Sequence, residues 1–334
     1  MKAVVLVGGF GTRLRPLTLT APKQMLPVID RPMLEHVIGA LGRHGVDEVT
    51  LSLGYKEDVF REAYPDSECA GVVLKYAVES EPLDTAGAVR FAAEVARIDE
   101  TFIVVNGDVF TDLDVRAVWD RHHEIGAEGT IALTPVDDPS RYGVVPTDDA
   151  GKVLGFVEKP PSDEAPTNWI NAGTYVLEPS VLARIETGRK VSIERETFPA
   201  MATDGGLWAV QSNAYWVDAG TPLTYLQIQM DLLDGVRGEK VNGISPGASV
   251  DAGATIERSV VMDGASVAAG AVIRNAVISA GATVRAGAVV EGSVVGPRAI
   301  IGERAQLTGM TMIGDSAVVE AGSVLDGAKV PESD

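Results

Sequence analysis

The chain opens Lys2-Ala-Val-Val-Leu-Val-Gly-Gly-Phe-Gly-Thr-Arg-Leu-Arg-Pro-Leu-Thr18, with Lys23 a little further on. The apolar run from Ala3 to Val7 reads as a buried strand. It breaks into Gly8, Gly9 and Gly11, where no Cβ keeps backbone N–H groups away from a phosphate. Arg13, Arg15 and Lys23 add fixed positive charge beside that turn. The spacing is not G-x-G-x-x-G, because position 14 is leucine, and no Lys-Ser/Thr pair closes a Walker loop. A strand, a glycine turn and three cations in so short a span predict a polyphosphate site at the start of an α/β domain.

Composition bounds the rest. Of 334 residues, 46% are hydrophobic, enough for a sizeable core and two domains. No apolar run reaches the ~18 residues of a membrane span, and no charged-then-apolar leader opens the chain, so a cytoplasmic protein is expected. The single cysteine, Cys69, excludes a disulfide framework and suits a reducing compartment. A net charge of −19 argues against nucleic-acid and anionic-membrane partners. Six Lys/Arg and ten Asp/Glu follow residue 240, so the part before it carries −15. An acidic domain that takes anionic substrates must gather its few cations locally or use a divalent metal. His36, His44, His122 and His123 show no zinc spacing and read as surface or core fillers.

To about residue 240 strand and helix patterns alternate. Helices are predicted over 32–44, 57–64, 85–95, 115–125, 179–185, 192–202 (capped at Ser192) and 223–233. Strands are predicted over 3–7, 49–53, 72–78, 101–105, 130–136, 153–157 and 207–210. That order implies a largely parallel sheet with helices on both faces, whose ligands bind at the carboxyl ends of the strands. Thr85, Ala86 and Gly87 sit at a helix start, where N–H groups are expected to be free for a ligand, with Asp84 as an ordinary N-cap. Asn106-Gly107-Asp108 ends a strand, and a carboxylate there suits Mg²⁺ as well as a plain turn. Glu158 and Lys159 can meet sugar hydroxyls and a phosphate, or simply pair in solvent. Asp218 is a second carboxylate at a strand end facing a glycine turn. The two aspartates, far apart in sequence, make one site only if the sheet brings their strand ends together.

From Ile244 the composition shifts to small and β-branched residues with a period of about six. Aliphatics recur at 244, 250, 256, 261, 267, 273, 278, 284, 290, 295, 301, 307, 313, 319 and 325. Steps of six, six and five describe a triangular parallel β-helix of about five coils, left-handed by analogy with other hexapeptide-repeat proteins. Hexapeptide acyltransferases generally rely on a histidine base, and no histidine follows residue 123. An assembly role, and hence a homo-oligomer, is the expectation.

The string G-G-F-G-T-R-L-R-P-L-T…P-K, followed by N-G-D, Y-G-V-V, V-E-K-P, N-A-G and W-x-D-x-G-T-P in that order, closely resembles the sugar-1-phosphate nucleotidylyltransferases (NDP-sugar pyrophosphorylases). The resemblance covers essentially the whole chain. It implies a Rossmann-like catalytic domain over 1–240 and a left-handed β-helix over 241–334. It assigns Leu6, Gly8, Gly9, Gly11, Thr12, Arg13, Glu79, Pro82, Thr85, Ala86, Gly87 and Gly107 to the nucleotide. Asn106, Gly143, Glu158, Lys159, Asn171, Ala172 and Gly173 fall to the sugar phosphate. Asp108 and Asp218 would hold Mg²⁺, and with Arg13 and Lys23 would act on the reacting phosphates.

Within the family, P-L-x-T-A-G plus a β-helix tail is most similar to the mannose-1-phosphate guanylyltransferases, using GTP as the NTP and mannose 1-phosphate as the sugar 1-phosphate. Glu79 could accept both donors of guanine. Lys23-Gln24-Met25-Leu26-Pro27 echoes instead the glucose-1-phosphate thymidylyl- and uridylyltransferases. A non-catalytic subunit that senses NDP-sugars is the rival from another class, although such subunits tend to lose the basic loop or the aspartates. The family's P-L-G-T-A-G is broken here by Asp84, which leaves the base and ribose contacts of that segment open.

Overall fold

The computed structural model describes residues 1–54, 56–238 and 240–332. The chain divides into two compact units, Met1–Gly9 with Leu34–Trp216, and Phe10–Met33 with Val217–Asp334.

In the first unit, β1 (Lys2–Leu6), α1 (Met33–Arg43, whose first residue belongs to the second unit), β2 (Glu48–Leu53), α2 (Glu57–Ala63), β3 (Val72–Val78), α3 (Asp84–Ala96) and β4 (Phe102–Asn106) alternate as expected. The four strands lie side by side and parallel in the order β4-β1-β2-β3. A strand covered on both faces must be apolar at successive positions, not alternate ones. Ala3, Val4, Val5, Phe102, Ile103 and Val104 are accordingly all fully buried. α3 packs over β1, β2 and β3.

Beyond β4 come α4 (Val115–Ile125), β5 (Gly129–Pro135), β6 (Gly143–Val144), β7 (Val157–Glu158), β8 (Trp169–Leu177), α5 (Phe198–Asp204) and β9 (Leu207–Gln211). β8 runs antiparallel to β4, β5 and β6, so the sheet is mixed around a parallel centre. The reason is local. No helix separates β5 from β8, and without a crossover a returning strand pairs antiparallel. The strand expected over 153–157 shrinks to Val157–Glu158 plus single bridges at Lys152 and Val153. The segment expected as a helix over 179–185 is a 3₁₀ turn, Pro179–Arg184. The one over 192–202 begins as a π-turn, Ile193–Thr197, before α5, with Ser192 capping it by accepting the Arg195 N–H at 3.3 Å.

In the second unit α6 (Pro222–Asp234) starts with a reciprocal Thr221–Thr224 cap. Its buried Gln229 accepts the Ile29 N–H at 2.8 Å and donates to Pro27 O at 2.9 Å, clamping a tight hairpin of the basic loop. The repeat forms three parallel sheets of five short strands, a β-helix. Val250, Val267, Val284, Ile301 and Val319 pair successively in one sheet. Ile256, Ile273, Val290, Leu307 and Leu325 do so in the second, and Val261, Ile278, Val295, Ile313 and Val330 in the third. The pairing advances 17 residues per coil until 295 meets 313, one residue more. Consecutive left-handed residues, Gly309 and Met310, absorb the extra one at a corner. The expected β-helix runs to residue 334, and 333 and 334 lie outside the described residues. Among the described residues no helix is long and apolar enough to cross a membrane.

Two sequence readings gain content from burial. Cys69 is buried, and burial followed by nearby Glu35 pushes its thiol up to about 12, so it is inert. His122 is a core residue. Thr130 Oγ1 lies 2.8 Å from Nδ1 and a Glu178 oxygen 3.0 Å from Nε2, a pairing satisfied when Nδ1 accepts and Nε2 donates. Burial lowers its pKa below 6.5 despite the opposing pull of Glu178. The folded chain therefore takes up that proton less readily than the unfolded one, so this share of stability is complete above about pH 6.5 and is lost as pH falls. The melting temperature should drop between about pH 7.5 and about pH 5.5, and drop less in His122→Gln. Equal drops in both proteins would show that His122 is not the group responsible.

Candidate active site

At the carboxyl end of the parallel centre, β1, β2 and β3 deliver Gly8, Gly54 and Glu79 to one place. A Cβ on Gly8 would lie 3.6 Å from Gly54 N and 3.9 Å from Glu79 Oε1. The Glu79 carboxylate is held there by the Ser52 hydroxyl at 2.9 Å and by the Leu83 N–H, also at 2.9 Å. An ionised carboxylate has about four acceptor positions, so two stay open for a ligand.

The start of α3 corrects one expectation. The Thr85 N–H donates to Asp84 Oδ1 at 2.8 Å, and the N–H groups of Ala86 and Gly87 both go to Val191 O, at 2.9 and 3.2 Å. Those amides are spent inside the protein and are not free for a phosphate. Thr85 Oγ1 donates to Glu194 at 2.7 Å and accepts from the Ile193 N–H at 2.8 Å, which fastens the segment to the π-turn. Asp84 takes a left-handed backbone, φ 60°, where glycine is the usual residue. Aspartate is among the few side chains tolerated there, and its hydrogen bond to the next N–H supports it. Pro82 lies exposed just ahead of it.

Asn106-Gly107-Asp108 follows β4. The Gly107 N–H donates to Leu6 O at 2.9 Å. A Cβ on Gly107 would stand 2.7 Å from Val7 Cγ1 and 3.0 Å from Leu6 O, so only glycine brings this turn against the end of β1. Asp108, half-buried, follows this turn at the end of β1.

The first-unit residues expected at the sugar phosphate also lie near one another. Glu158 pairs with Gly143 across β6 and β7, its Oε2 3.1 Å from where a Gly143 Cβ would be. Lys159, at φ 50°, bonds Glu158 through Nζ at 3.1 Å. Partly exposed pairs of this kind contribute about 0–1 kcal/mol, so a bound phosphate can draw Lys159 away at little cost. In β8 a bulge between Asn171 and Tyr175 raises Gly173, φ 73°, against the Asn106 side chain. The Gly173 N–H donates to Asn171 Oδ1 at 2.9 Å, and Ala172 O accepts the Trp216 indole N–H at 2.9 Å. Ser52, Tyr175 and Trp216 were not singled out from the sequence. Trp216 opens the W-x-D-x-G-T-P motif, and Tyr175 lies four positions beyond Asn171, a spacing that puts both on one face of an extended strand.

The second unit holds Arg13 and Lys23. Gly11, φ 60°, opens the turn Thr12–Leu14, and Thr18 Oγ1 donates to Gly11 O at 2.8 Å. Lys23 Cβ lies 3.1 Å from the Gly11 Cβ position, and the lysine is 6% exposed. Exposed Arg13 reaches over Gly220, whose Cβ would fall 2.6 Å from Nη2, 2.9 Å from Asp218 Oδ1 and 3.1 Å from Asp218 Oδ2. Asp108 thus stands in the first unit, and Arg13, Lys23 and Asp218 in the second. Among the described residues no group of three or more His, Cys, Asp and Glu side chains gathers for a metal.

Known proteins match this arrangement. The nucleotidyl transferase family matches residues 2–235, and the GMPPB C-terminal domain matches residues 239–333. The chain belongs to the nucleotidyl transferase family. It is 41% identical to the mannose-1-phosphate guanylyltransferase of Mycobacterium tuberculosis, over 77% of this chain and 75% of that one. It is 44% identical to the mannose-1-phosphate guanyltransferase of Aspergillus fumigatus, over 68% of this chain and 62% of the relative, under two thirds of that protein's length. The crystal structure of HddC from Yersinia pseudotuberculosis complexed with GMP-PN superposes with a TM-score of 0.59 at 30% identity, covering 68% of this chain and 97% of HddC.

Gly220→Ala tests the steric reading. The methyl group would meet Arg13 and Asp218 directly, and displacing a reacting charge by about 1 Å costs on the order of 100-fold in rate. Pyrophosphate release should fall by that order with little change in melting temperature. Wild-type turnover in this variant would remove Arg13 and Asp218 from the chemistry.

Proposed function

We propose that this nucleotidyltransferase converts GTP and mannose 1-phosphate into GDP-mannose and pyrophosphate. The observation that carries the reading is the juxtaposition, at one edge of the first unit's sheet, of the Gly8–Glu79 corner, the glycine-seated Asp108 and the Asn106–Gly173 cluster. An oxygen of the sugar phosphate attacks the α-phosphorus. The bond from that phosphorus to the α–β bridging oxygen breaks, and the electron pair leaves with pyrophosphate. Only alignment and charge neutralisation are required of the protein.

In this reading Lys159 leaves Glu158 for the incoming phosphate, and Glu158 accepts hydrogen bonds from sugar hydroxyls, with Gly143, Asn171 and Ala172 beside it. Arg13 and Lys23 face the triphosphate and its leaving group. Glu79 accepts from guanine N1–H and the 2-amino group, a donor pair that thymine and uracil lack. Asp108 and Asp218 are hard oxygen donors at two glycine turns, a set that suits Mg²⁺ completed by substrate oxygens. Bound there, Mg²⁺ would withdraw charge from the reacting phosphates. The same reading places the boundary between catalytic and β-helix parts near residue 240 and the protein in a reducing cytoplasm. It has copies self-associate through the β-helix faces on which Val318 and Val324 stand exposed.

Asp108→Asn should abolish GDP-mannose formation while the melting temperature holds; near-normal turnover would sink the metal assignment. A steady-state panel of five NTPs against mannose and glucose 1-phosphates should favour GTP with mannose 1-phosphate. Preference for dTTP or UTP with glucose 1-phosphate would overturn the base and sugar. NDP-sugar binding without pyrophosphate release from any pair would point to a sensor.

A further inference from the structure

One buried polar group beside the sugar-phosphate cluster has no role in the reaction as described. Tyr175 is fully buried, its ring edge-on to Phe198 at 4.9 Å. Packing therefore fixes the ring, and with it the position of the hydroxyl oxygen. Burying a phenol costs free energy unless its oxygen is hydrogen-bonded. The bond it makes is to Asn171, whose Nδ2 donates to Tyr175 Oη at 2.8 Å.

The bulge explains why these two meet. Asn171 pairs with Leu133 and Tyr175 with Ile131, so four steps along β8 match two along β5. The surplus lifts Ala172 and Gly173 out of the ladder. The bulge is closed from one side by the Gly173 N–H on Asn171 Oδ1 and from the other by Tyr175 on Asn171 Nδ2. Both ends of the amide are thus committed, which fixes which end is oxygen and which is nitrogen. One N–H and one lone pair remain on Asn171, the complement of a sugar hydroxyl, which donates and accepts.

We propose that Tyr175 is a positioning residue for the sugar phosphate: its hydroxyl, shut away from solvent and substrate, holds the Asn171 amide in the orientation that receives the sugar's hydroxyls. The inference rests on the placement of Asn171 at the sugar in the proposed function. Burial, and then Glu194, raises the phenol's pKa far above its usual value, so the hydroxyl stays neutral at every working pH.

Tyr175→Phe keeps the ring and removes only the oxygen. Its KM for mannose 1-phosphate should rise about five- to tenfold, the loss of one buried hydrogen bond, with KM for GTP and kcat within about twofold of wild type. Asn171→Ala should raise the same KM, and adding Tyr175→Phe to it should change nothing more, because residues acting through one contact are not additive. Binding of mannose 1-phosphate measured by calorimetry should follow the same pattern independently of turnover. A silent Tyr175→Phe beside an impaired Asn171→Ala overturns the inference and leaves the function intact. So does a Tyr175→Phe that lowers only the melting temperature, shifts both KM values alike, or adds fully to Asn171→Ala. An Asn171→Ala protein that binds mannose 1-phosphate like wild type overturns the sugar-site reading together with this one.

Discussion

The absence of two Cβ atoms governs where this molecule can put charge. At Gly107 a methyl group would stand 2.7 Å from Val7 Cγ1, and at Gly220 it would stand 2.6 Å from the Arg13 guanidinium. The two neighbours differ in stiffness: Val7 is 2% exposed at the end of β1, whereas the Arg13 guanidinium is the end of an exposed side chain. Gly107 therefore lets a carboxylate approach a rigid strand end, and Gly220 leaves room for Arg13 and Asp218 side by side. Gly107 carries Asp108 to the strand end, and Gly220 lets Asp218 lie beside a cation. A glycine at such a position costs about 0.5–1 kcal/mol in chain entropy. That is small beside the clash it avoids.

That steric arrangement also answers the problem set by the chain's charge. A protein of net −19 repels its own polyanionic substrates at long range, so attraction must come from fixed cations at short range, where screening by salt is weak. Lys23 is the clearest case, an ammonium held almost wholly out of water. Lys159 follows the opposite design. It is partly exposed and shares its charge with Glu158 across a weak pair, so it can exchange partners.

Much of this was legible in the sequence, and what was not has physical causes. The strands at 72–78 and the helix at 115–125 appear with the expected bounds because periodic burial is a local property. The β-helix was legible in its aliphatic positions, since each must sit on the one a coil away, but the six-six-five step did not announce the longer coil between 295 and 313. The direction of β8 was not, because pairing between 104 and 175 is set by topology and not by pattern. The amides of Ala86 and Gly87 looked free because their acceptor, Val191 O, lies more than a hundred residues on. Asp84, which left the base and ribose contacts of its segment open, takes a left-handed backbone that few side chains tolerate. The bulge of β8, which gathers Asn106, Asn171 and Gly173, leaves a sequence trace only in Gly173.

In the second unit the β-helix also supports the basic segment. The basic segment Phe10–Met33 belongs to the same compact unit as the repeat. Pro16 packs against Gly314, where a Cβ would be 3.1 Å from the proline ring, and α6 clamps the hairpin that follows Lys23 through Gln229. The outward residues of the third sheet, Val260, Val277, Val294 and Met312, are at most 1% exposed, while Val318 and Val324 on the other two sheets are open. One face of the β-helix is therefore spent inside the chain. The loop that carries Arg13 and Lys23 is short of regular structure and cannot hold its own shape; 3₁₀ turns of three residues bury too little apolar surface to offset the backbone entropy they fix. Its rigidity comes from α6, about 200 residues away in sequence, and from the coil at Gly314, nearly 300 away. The number and register of those coils thus bear on the anion site itself, because a slip of one coil at Gly314 would leave Pro16 without its seat.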